Sequence, residues 1–399
     1  MSSSNAVSVT YIDETVYGTT PTVTGATAIQ QIRFTNESLS GTPLTVESGN
    51  IRIDRMSSGQ VITGLEVGGD IGFELSRDVF IDKFLSMGMM STWQSATADI
   101  SSVSFTIDGS NDQQGDLAGT GVGTGINVAD VLKVTAGGED YVFQVITVTD
   151  ADNLVVGCKR GQANFTGATS RRPAYVDIGS AQQSVTLSKA YEDVVDVSDD
   201  EYSQSYSGTI VSGFNINVEY GSICTGTFNL SANGYSQEKP SLQQNVVTAG
   251  GTVNAAPTAQ PINASVDVPI VSTENLPTNF CITSFAITLS NGLTPQNCIG
   301  KAAPTRYELG TASISIEAGA YLGASAYEAL MGKKLTQEGV PMTFILKNGD
   351  GGYALHFPAI QLSFPDPGAS GANQQVMIEA SGQAKVGASG ESQLRIYQI

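Results

Sequence analysis

The feature that most constrains this chain is a strand-then-helix pattern that occurs twice. The first copy, Leu65–Met87, reads LEVGGDIGFELSRDVFIDKFLSM, and the second, Glu308–Met331, reads ELGTASISIEAGAYLGASAYEALM. Each copy begins with large apolar residues at every second position, which places them on one face of a strand. Each then continues as a short amphipathic helix. Within one copy, the strand and the helix can bury their apolar faces against each other. The repetition of this pattern therefore predicts two similar units.

The apolar positions of both copies define the expected core of each unit. In the first copy they are Ile71, Phe73 and Leu75 on the strand and Phe80, Ile81, Phe84 and Leu85 on the helix. In the second copy they are Ala312, Ile314 and Ile316 on the strand and Tyr321, Tyr327 and Leu330 on the helix.

Two further segments repeat in the same order around this pattern. A strand over Ile32–Leu39 matches Ile282–Leu289, and both end in Leu-Ser. A hairpin closes each unit, since alternating apolar residues over Phe214–Gly234 match those over Ile360–Gly382. The order of elements therefore agrees between the two copies.

These patterns predict a mainly β protein with two tandem units, each with a short α-helix, and an inserted domain. Three short strands between Gly- and Asp-rich turns, Val131–Val134, Tyr141–Val145 and Leu154–Val156, indicate that the insertion is a small β-barrel. We expect the N-terminal arm to be extended, with little core of its own. The predicted boundaries are 1–27 for this arm, 28–105 with 185–240 for the first unit, 106–184 for the inserted domain, 241–275 for a linker and 276–399 for the second unit.

The charge and composition argue against several classes of function. The chain has 38 acidic and 19 basic residues, a formal charge of −19, which argues against a surface that grips nucleic acid through Lys and Arg. The N-terminus lacks the basic and apolar segments of a signal peptide, and no apolar run is long enough to span a membrane. The four cysteines form no CxxC pair, so a zinc site is not expected, and we expect all four to be buried thiols.

Four segments resemble chemical motifs, and each lacks a necessary part. GTGVGTG at Gly119–Gly125 has no Lys-Ser/Thr and no helix after it, so a flexible loop is favoured over a phosphate site. The run from Asp150 has Gly161 where a calcium loop requires Glu. The acidic run Glu192–Glu201 is expected to be a solvated loop or strand edge. His356 lies on a predicted strand without a nucleophile elbow, so we expect it to pack or to form hydrogen bonds.

No catalytic, cofactor-binding or metal-binding residue is therefore predicted, and an enzyme is not expected. Paired carboxylates for glycoside chemistry leave no signature in sequence spacing, and no other sign of them is present.

Short segments in a fixed order point to a family. YIDETVYGTTPT at Tyr11–Thr22 comes first, then IRFTNESL, VESGNIRIDR, GGDIGFELS, VEYGSICTGTFNLSANG, SFAITLSNGL and YELGTASISIEA. In this order they resemble the phage tail tube proteins of long-tailed bacterial viruses. The resemblance covers most of the chain outside the insertion.

The resemblance implies a β-sandwich or partial barrel with a flanking helix in each unit, in a duplicated-domain form of the family. Neighbouring units of such proteins contribute strands to a continuous β-barrel around a channel. Rings of six units stack into a hollow tube, and the N-terminal arm and loops bridge neighbouring rings. The genome leaves the capsid through this tube. If each chain supplies two units, a homotrimer forms a pseudo-hexameric ring; the alternative is a hexamer of chains.

The implied partners follow from this role. They are further copies of the chain, a tape measure protein, a tail terminator, tail-tip or baseplate proteins, and phage DNA that passes without specific binding; no membrane is involved. The implied location is the virion tail, with the host cytoplasm during assembly. Glu74, Ser313 and Ser315 would then face the channel and the insertion would lie outside. The alternative function is another β-rich virion assembly or decoration protein, or an adhesin.

Overall fold

The alternating apolar residues produce a protein that consists mainly of strands, as predicted. The computed structural model describes residues 3–49, 53–54, 56, 59–159, 161–268, 270–271, 281–321, 339–366, 375–387 and 390–399. The helices assigned within these residues are a 3-10 turn (Ser4–Ala6), α1 (Val79–Gly88) and α2 (Leu242–Thr248).

The strands fall into four groups along the chain. The first group is β1 (Val7–Asp13), β2 (Ala28–Gln31), β3 (Asn36–Glu37), β4 (Ser40–Glu47) and β5 (Gln60–Glu74). The second is β6 (Ile100–Asp108), β7 (Asn111–Ala118), β8 (Val131–Ala136), β9 (Glu139–Val148), β10 (Asn153–Gly157) and β11 (Phe165–Arg171). The third is β12 (Tyr175–Asp177), β13 (Val185–Val195), β14 (Glu201–Glu219), β15 (Thr225–Ser231), β16 (Gly234–Glu238) and β17 (Thr252–Asn254). The fourth is β18 (Ile270–Val271), β19 (Ile282–Ser290), β20 (Thr294–Gln296), β21 (Arg306–Glu308), β22 (Ser313–Tyr321), β23 (Gly339–Asn348), β24 (Gly351–Ser363), β25 (Met377–Ala384) and β26 (Arg395–Gln398).

The strand pairing shows the internal repeat directly. In the first unit the antiparallel order is β3–β5–β15–β14, and in the second it is β19–β22–β25–β24. In both, the last strand of this series also pairs with two further strands: β14 with β13 and β16, and β24 with β23 and β26. Strands β14 and β19 pair along seven residues, so the two units share one sheet.

An aromatic cluster fills the space between the first unit's sheet and α1. Phe228 stacks on Phe73 with ring centroids 4.5 Å apart, and Phe80, Phe84 and Phe214 approach it within 6.2 Å. All five rings are fully buried. The predicted inward face of the strand and of the helix is therefore confirmed for the first unit.

Helix α1 begins where a side chain caps it. Asp78 accepts a hydrogen bond from the backbone N–H of Ile81 at 2.8 Å, which satisfies one of the free donors of the first turn. Burial raises the pKa of Asp78 against the opposing effect of that hydrogen bond.

The second unit adds aromatic residues to the same continuous core, while its predicted helix cannot be compared. Phe285 stacks on Phe344 at 4.2 Å, and Ile314 and Ile316 are buried as predicted. Tyr327 and Leu330 lie outside the described residues. Tyr321, expected on the helix, is instead the last residue of β22 and is exposed.

The expectation that the N-terminal arm has little core of its own is wrong for β1. This strand pairs with β13 along its whole length and with β2 on its other side. Val9 and Tyr11 are buried in the main core, where Tyr11 meets Phe84 edge-on at 5.6 Å. The apolar residues at every second position of VSVTY account for this burial.

The single strand predicted over Ile32–Leu39 is also wrong, because the chain there changes partners. Strand β2 pairs with β1, whereas β3 pairs with β5. Between them the N–H of Ile32 bonds to Val9 and that of Thr35 bonds to Gly72, so the segment crosses from one part of the sheet to another.

The region predicted as a linker contains regular structure. Helix α2 begins at Ser241, whose side chain accepts from the N–H of Gln244 at 3.1 Å. Its buried residues Leu242 and Val246 pack with Ile12 and Ile29.

The inserted segment contains a closed six-stranded barrel, in the order β10–β7–β6–β11–β8–β9. Closure leaves the barrel without open sheet edges. Its own core includes Phe105 and Phe143, with ring centroids 4.9 Å apart. The barrel strands begin at residue 100, six residues before the predicted start of the insertion.

A buried ionic cluster fixes the barrel against the second unit. Asp130, just before β8, is 1% exposed and accepts from Arg395 Nη1 at 2.9 Å and from the Tyr397 hydroxyl at 3.1 Å. Arg395 also binds both carboxylate oxygens of Asp177, at 2.7 and 2.9 Å. The bidentate pair with Asp177 on β12 orients the guanidinium of Arg395. The hydrogen bonds that Asp130 accepts from Arg395 and Tyr397 then join the barrel to β26.

Candidate functional site

A polar face crosses both units. It lies on six adjacent strands, β5–β15–β14–β19–β22–β25. We call it the polar face and define it by Asp70, Glu74, Asn215, Asn217, Glu219, Thr225, Thr227, Asn229, Ser284, Thr288, Ser290, Ser313, Ser315, Glu317, Glu379, Ser381 and Gln383.

Strict alternation along each strand separates this face from the core. On β22, Ser313, Ser315 and Glu317 are exposed, whereas the intervening Ile314 and Ile316 are buried. The same alternation holds on the paired segments of β15, β19 and β25, and on β5 and β14 it is interrupted only at the buried glycines Gly72 and Gly213. This alternation of apolar and polar residues is typical of a sheet with one buried side and one side that faces solvent.

The charged side chains of the polar face, as defined, are all acidic. They are the carboxylates of Asp70, Glu74, Glu219, Glu317 and Glu379. The strand register places Glu74 and Glu317 at equivalent positions in the two units. Glu74 lies opposite Thr225 in the first unit, and Glu317 lies opposite Ser381 in the second. Asp70 accepts from the amide of Asn229 at 2.8 Å. The charges of such a surface repel phosphate, and none of the side chains that define it is cationic.

The sheet ends in two edges that have no further strand within the described residues. At one end, β3 and β4 pair only with β5. At the other end, β24 pairs with β25 as far as Ser363 but with β23 only as far as Gln361.

The backbone of Leu362 points towards this second open edge. Ala359 accepts from Lys385, so its carbonyl faces β25. Since successive residues of an antiparallel strand turn their N–H and C=O to opposite sides, Gln361 and Ser363 also face β25 and Leu362 faces away. An open edge with free donors and acceptors is a site for strand addition.

The joint between the two units shows what such an edge binds. On β14 the residues that correspond to Ile360 and Leu362 are Phe214 and Ile216, and they pair with Leu289 and Ile287 of β19. The first strand of one unit thus completes the last strand of the preceding unit.

The glycine-rich segment Gly119–Gly125 is a series of turns between β7 and β8, and no helix follows it. Asp152 holds it in place, since its carboxylate accepts from Gly121 N at 2.7 Å and its carbonyl from Gly119 N at 2.9 Å. The predicted loop is therefore confirmed, although hydrogen bonds fix its conformation.

The other acidic motifs also stabilise turns. Asp150 accepts from Asp152 N and from Asn153, and these hydrogen bonds lower its pKa. In the acidic run, the hydrogen bond from Lys239 is the main factor that lowers the pKa of Asp196 to about 2. Within the described residues, no three His, Cys, Asp or Glu side chains are grouped as a metal site would require.

His356 is a buried hydrogen-bonding residue, as predicted. It lies on β24 against the barrel, where Gln144 Nε2 is 3.1 Å and Thr343 Oγ1 is 2.9 Å from its Nδ1. Burial, with a contribution from Arg395, lowers its pKa to about 4.

We expect His356 to make stability depend on pH. The folded state binds fewer protons than the unfolded state below pH 6.5, so stability falls between pH 6.5 and about 4 and then levels off. The shift corresponds to roughly 3 kcal/mol. Urea unfolding of wild type and of His356→Gln from pH 7.5 to 3.5 should show their difference changing by this amount, and parallel profiles would refute the assignment.

The prediction of four buried thiols is right for two cysteines and wrong for two. Burial raises the pKa of Cys158 to about 11 and that of Cys224 to about 12. Cys281 and Cys298 are exposed, because they lie outside the strands, just before β19 and between β20 and β21. All four are free.

One structural residue of the YIDETVYGTTPT segment was missed. Glu14 accepts four hydrogen bonds at 2.7–2.8 Å, from Gly18 N, Ser184 Oγ, Thr186 Oγ1 and Gly208 N. It therefore joins the loop after β1 to β13 and β14. The only sequence signal was the acidic pair Asp13-Glu14 at the end of an apolar strand pattern.

Comparison with known proteins gives one result that covers nearly the whole chain. A family model described as phage tail tube protein matches residues 4–384. No curated protein sequence matches the chain. Within the described residues, no helix has the length and apolar character needed to cross a bilayer.

Proposed function

Since the chain belongs to the phage tail tube protein family and is a structural component of the virion tail, we propose that its copies assemble into stacked rings. The rings form a hollow tube through which phage DNA is delivered to the host. The observation that carries this proposal is that, among the described residues, no strand covers the two ends of a sheet whose halves repeat.

The repeat indicates how a ring closes. Within one chain, β19 completes the edge of β14. The same contact between chains joins the open edge of β24 to β3 and β4 of the next copy. Three chains then supply six units, and the pairing leaves no open edge. We therefore propose a homotrimer with a pseudo-hexameric ring.

The polar face lines the channel in this arrangement. With three chains, Glu74 and Glu317 alternate around one level and present six carboxylates to the lumen. DNA then passes without a site to bind, since affinity for nucleic acid comes mainly from cationic groups on phosphates. The surface serves transit, and it requires no catalysis.

The barrel lies outside the tube. It contacts β24 and β26 through Val131, Ala354 and Tyr397, away from the polar face. The buried ionic cluster of Asp130 with Arg395 holds it there. Assembly with a tape measure protein, a tail terminator and tail-tip proteins follows from the family role, as does assembly in the host cytoplasm.

Electron microscopy of the purified chain in negative stain, with mass determination in solution, tests this proposal. We expect stacked rings and a ring mass of three times 41.5 kDa. Rings of six chains would retain the function and refute the trimer. A chain that forms no rings even with tail-tip proteins would favour a decoration protein instead.

A further inference from the structure

The inserted barrel forms a body of its own. Its six strands close on themselves, and its apolar core is separate from the core that the two units share. The two segments that connect it to the first unit pair with each other, since Gln94 and Tyr175 form a bridge and Thr97 N donates to Arg172 O at 3.0 Å. We call this pair of segments the neck. The barrel can therefore turn on the neck as one body wherever its contact with the second unit opens.

The contact between the barrel and the second unit, which we call the joint, combines apolar and polar side chains. Within the described residues, the barrel contributes Val131 and the half-buried Val142 to the apolar cluster of the joint, where they meet Ala354 of β24. Two residues further along the same strands, Gln144 is 1% exposed and His356 is 4% exposed. Buried polar groups of this kind are stable only while their charge and hydrogen bonds suit the site.

The hydrogen bonds of the joint suit a neutral imidazole. The amide of Gln144 donates to Nδ1 of His356 at 3.1 Å, so Nδ1 carries no proton and the proton of the ring is on Nε2. Among the described residues, neither His356 Nε2 nor Gln144 Oε1 has a hydrogen-bond partner. A second proton on the ring would have to enter at Nδ1, against the amide NH2 that donates to it.

The charged groups next to His356 also oppose a positive imidazole. Those on β12, on β26 and on the barrel with its neck form the ionic cluster of Asp130, Arg172, Asp177, Arg395 and Tyr397. The side chains that β9 and β23 place against the ring, Gln144 and Thr343, are neutral, and further along β23 Lys347 donates to a barrel carbonyl at 2.9 Å. Arg395 lies opposite His356 on β26. Burial is the main cause that lowers the pKa of His356, and Arg395 adds to it.

We propose that the joint is acid-sensitive: when His356 is protonated, the barrel moves away from β24 and β26 on its neck while the barrel and both units stay folded. Opening exposes the imidazole to water, where its ordinary pKa returns, so the open form binds a proton that the closed form rejects. Since the pKa in the closed form is about 4, the ratio of open to closed chains rises about thirtyfold between pH 7.5 and pH 5.

Thiol labelling at the joint tests this inference. Ala354→Cys places a thiol at a position that is fully buried in the apolar cluster of the joint. Dithiodipyridine reacts with thiols in mildly acidic solution, so its rate at this thiol can be followed from pH 7.5 to pH 5 and divided by the rate at the exposed Cys281. We expect this relative rate to rise about thirtyfold as the pH falls over that range.

Two native cysteines show whether the opening is local. Cys158 lies in the barrel core and Cys224 in the core of the units, so each reacts only when its own core opens. Undocking exposes less surface than unfolding, so at pH 5 we expect the thiol introduced at Ala354 to react at least about tenfold faster than both. Its rate should also depend less on added urea than theirs.

Two further variants make the result decisive. His356→Gln keeps a hydrogen-bonding side chain that gains no proton, and in that background the acid effect at the joint should disappear. Val142→Cys reports the same opening from the barrel side if Ala354→Cys does not fold.

Three results would overturn the inference. They are a relative rate at the joint that does not change with pH, an equal acid effect in His356→Gln, and labelling at the joint that is no faster than at Cys158 and Cys224. In the last case the joint would open only when the chain unfolds. The labelling does not require rings, so a chain that forms none would refute the proposed function and leave this inference standing.

Discussion

Replacing Phe73 with aspartate is expected to prevent the first unit from folding. Phe73 is 1% exposed and stacks on Phe228 at the centre of the aromatic cluster. The substitution removes that ring and leaves a carboxylate without a partner among apolar side chains. We expect a loss of more than about 4 kcal/mol, since large-to-small core changes and buried charges each cost several kcal/mol.

The measurement is the yield of soluble protein together with near-ultraviolet circular dichroism and ring formation. Ile314→Asp makes the same test in the second unit, where the side chain is 2% exposed. Ser315→Asp, one residue further on the exposed face, is the matched control and should fold normally. If Phe73→Asp or Ile314→Asp still formed normal tubes, the inward-facing assignment of these strands would be wrong.

The strength of the sequence prediction lay in the period-two pattern. Phe214, Ile216 and Val218 alternate with polar residues, and the structure buries all three. The helix after β5 was equally clear, because its apolar residues form one stripe. In such segments local pattern and tertiary packing agree, and the sequence alone then indicates the element.

The register between the repeats was not accessible in the same way. Gly226 and Gly382 are equivalent in the two units, because they pair with the matched residues Ile216 and Leu362. The sequence match equates Phe73 with Ile314, yet Phe73 lies opposite Gly226 and it is Ile316 that lies opposite Gly382. The two units therefore correspond with a shift of two residues. A shift of two keeps every side chain on its own face, so alternation does not detect it.

The candidate surface was predicted only in part. Glu74, Ser313 and Ser315 were expected on the face opposite the core, and the structure places them there. The open edges were not predicted, because an edge depends on which strands pair and on where each pairing stops. The burial of β1 was missed for a related reason: its partner β13 lies more than 170 residues further along the chain.

Substituting Leu362 with proline is expected to abolish ring closure while the chain remains folded. The N–H of Leu362 faces away from β25, beyond the last described pairing of β24 with β23, so a proline there removes a donor for which the described strands provide no partner. The proline ring also obstructs the approach of another strand. Proline is tolerated on an edge strand because an N–H that faces outwards forms no hydrogen bond within the sheet. In the proposed ring, this edge binds β3 and β4 of the next copy, as β14 binds β19 within the chain.

Leu362→Pro should therefore sediment as a monomer of 41.5 kDa, whereas the proposed wild-type ring has three times that mass. Leu362→Ala is the matched control, because it removes the side chain, which packs partly against Phe364 and Ile378, and keeps the N–H. We expect Leu362→Ala to form rings with slightly lower thermal stability. Ser363→Pro removes a donor that faces β25 and should lower the stability of the monomer itself. A Leu362→Pro protein that still forms rings of wild-type mass would show that the ring closes through another edge.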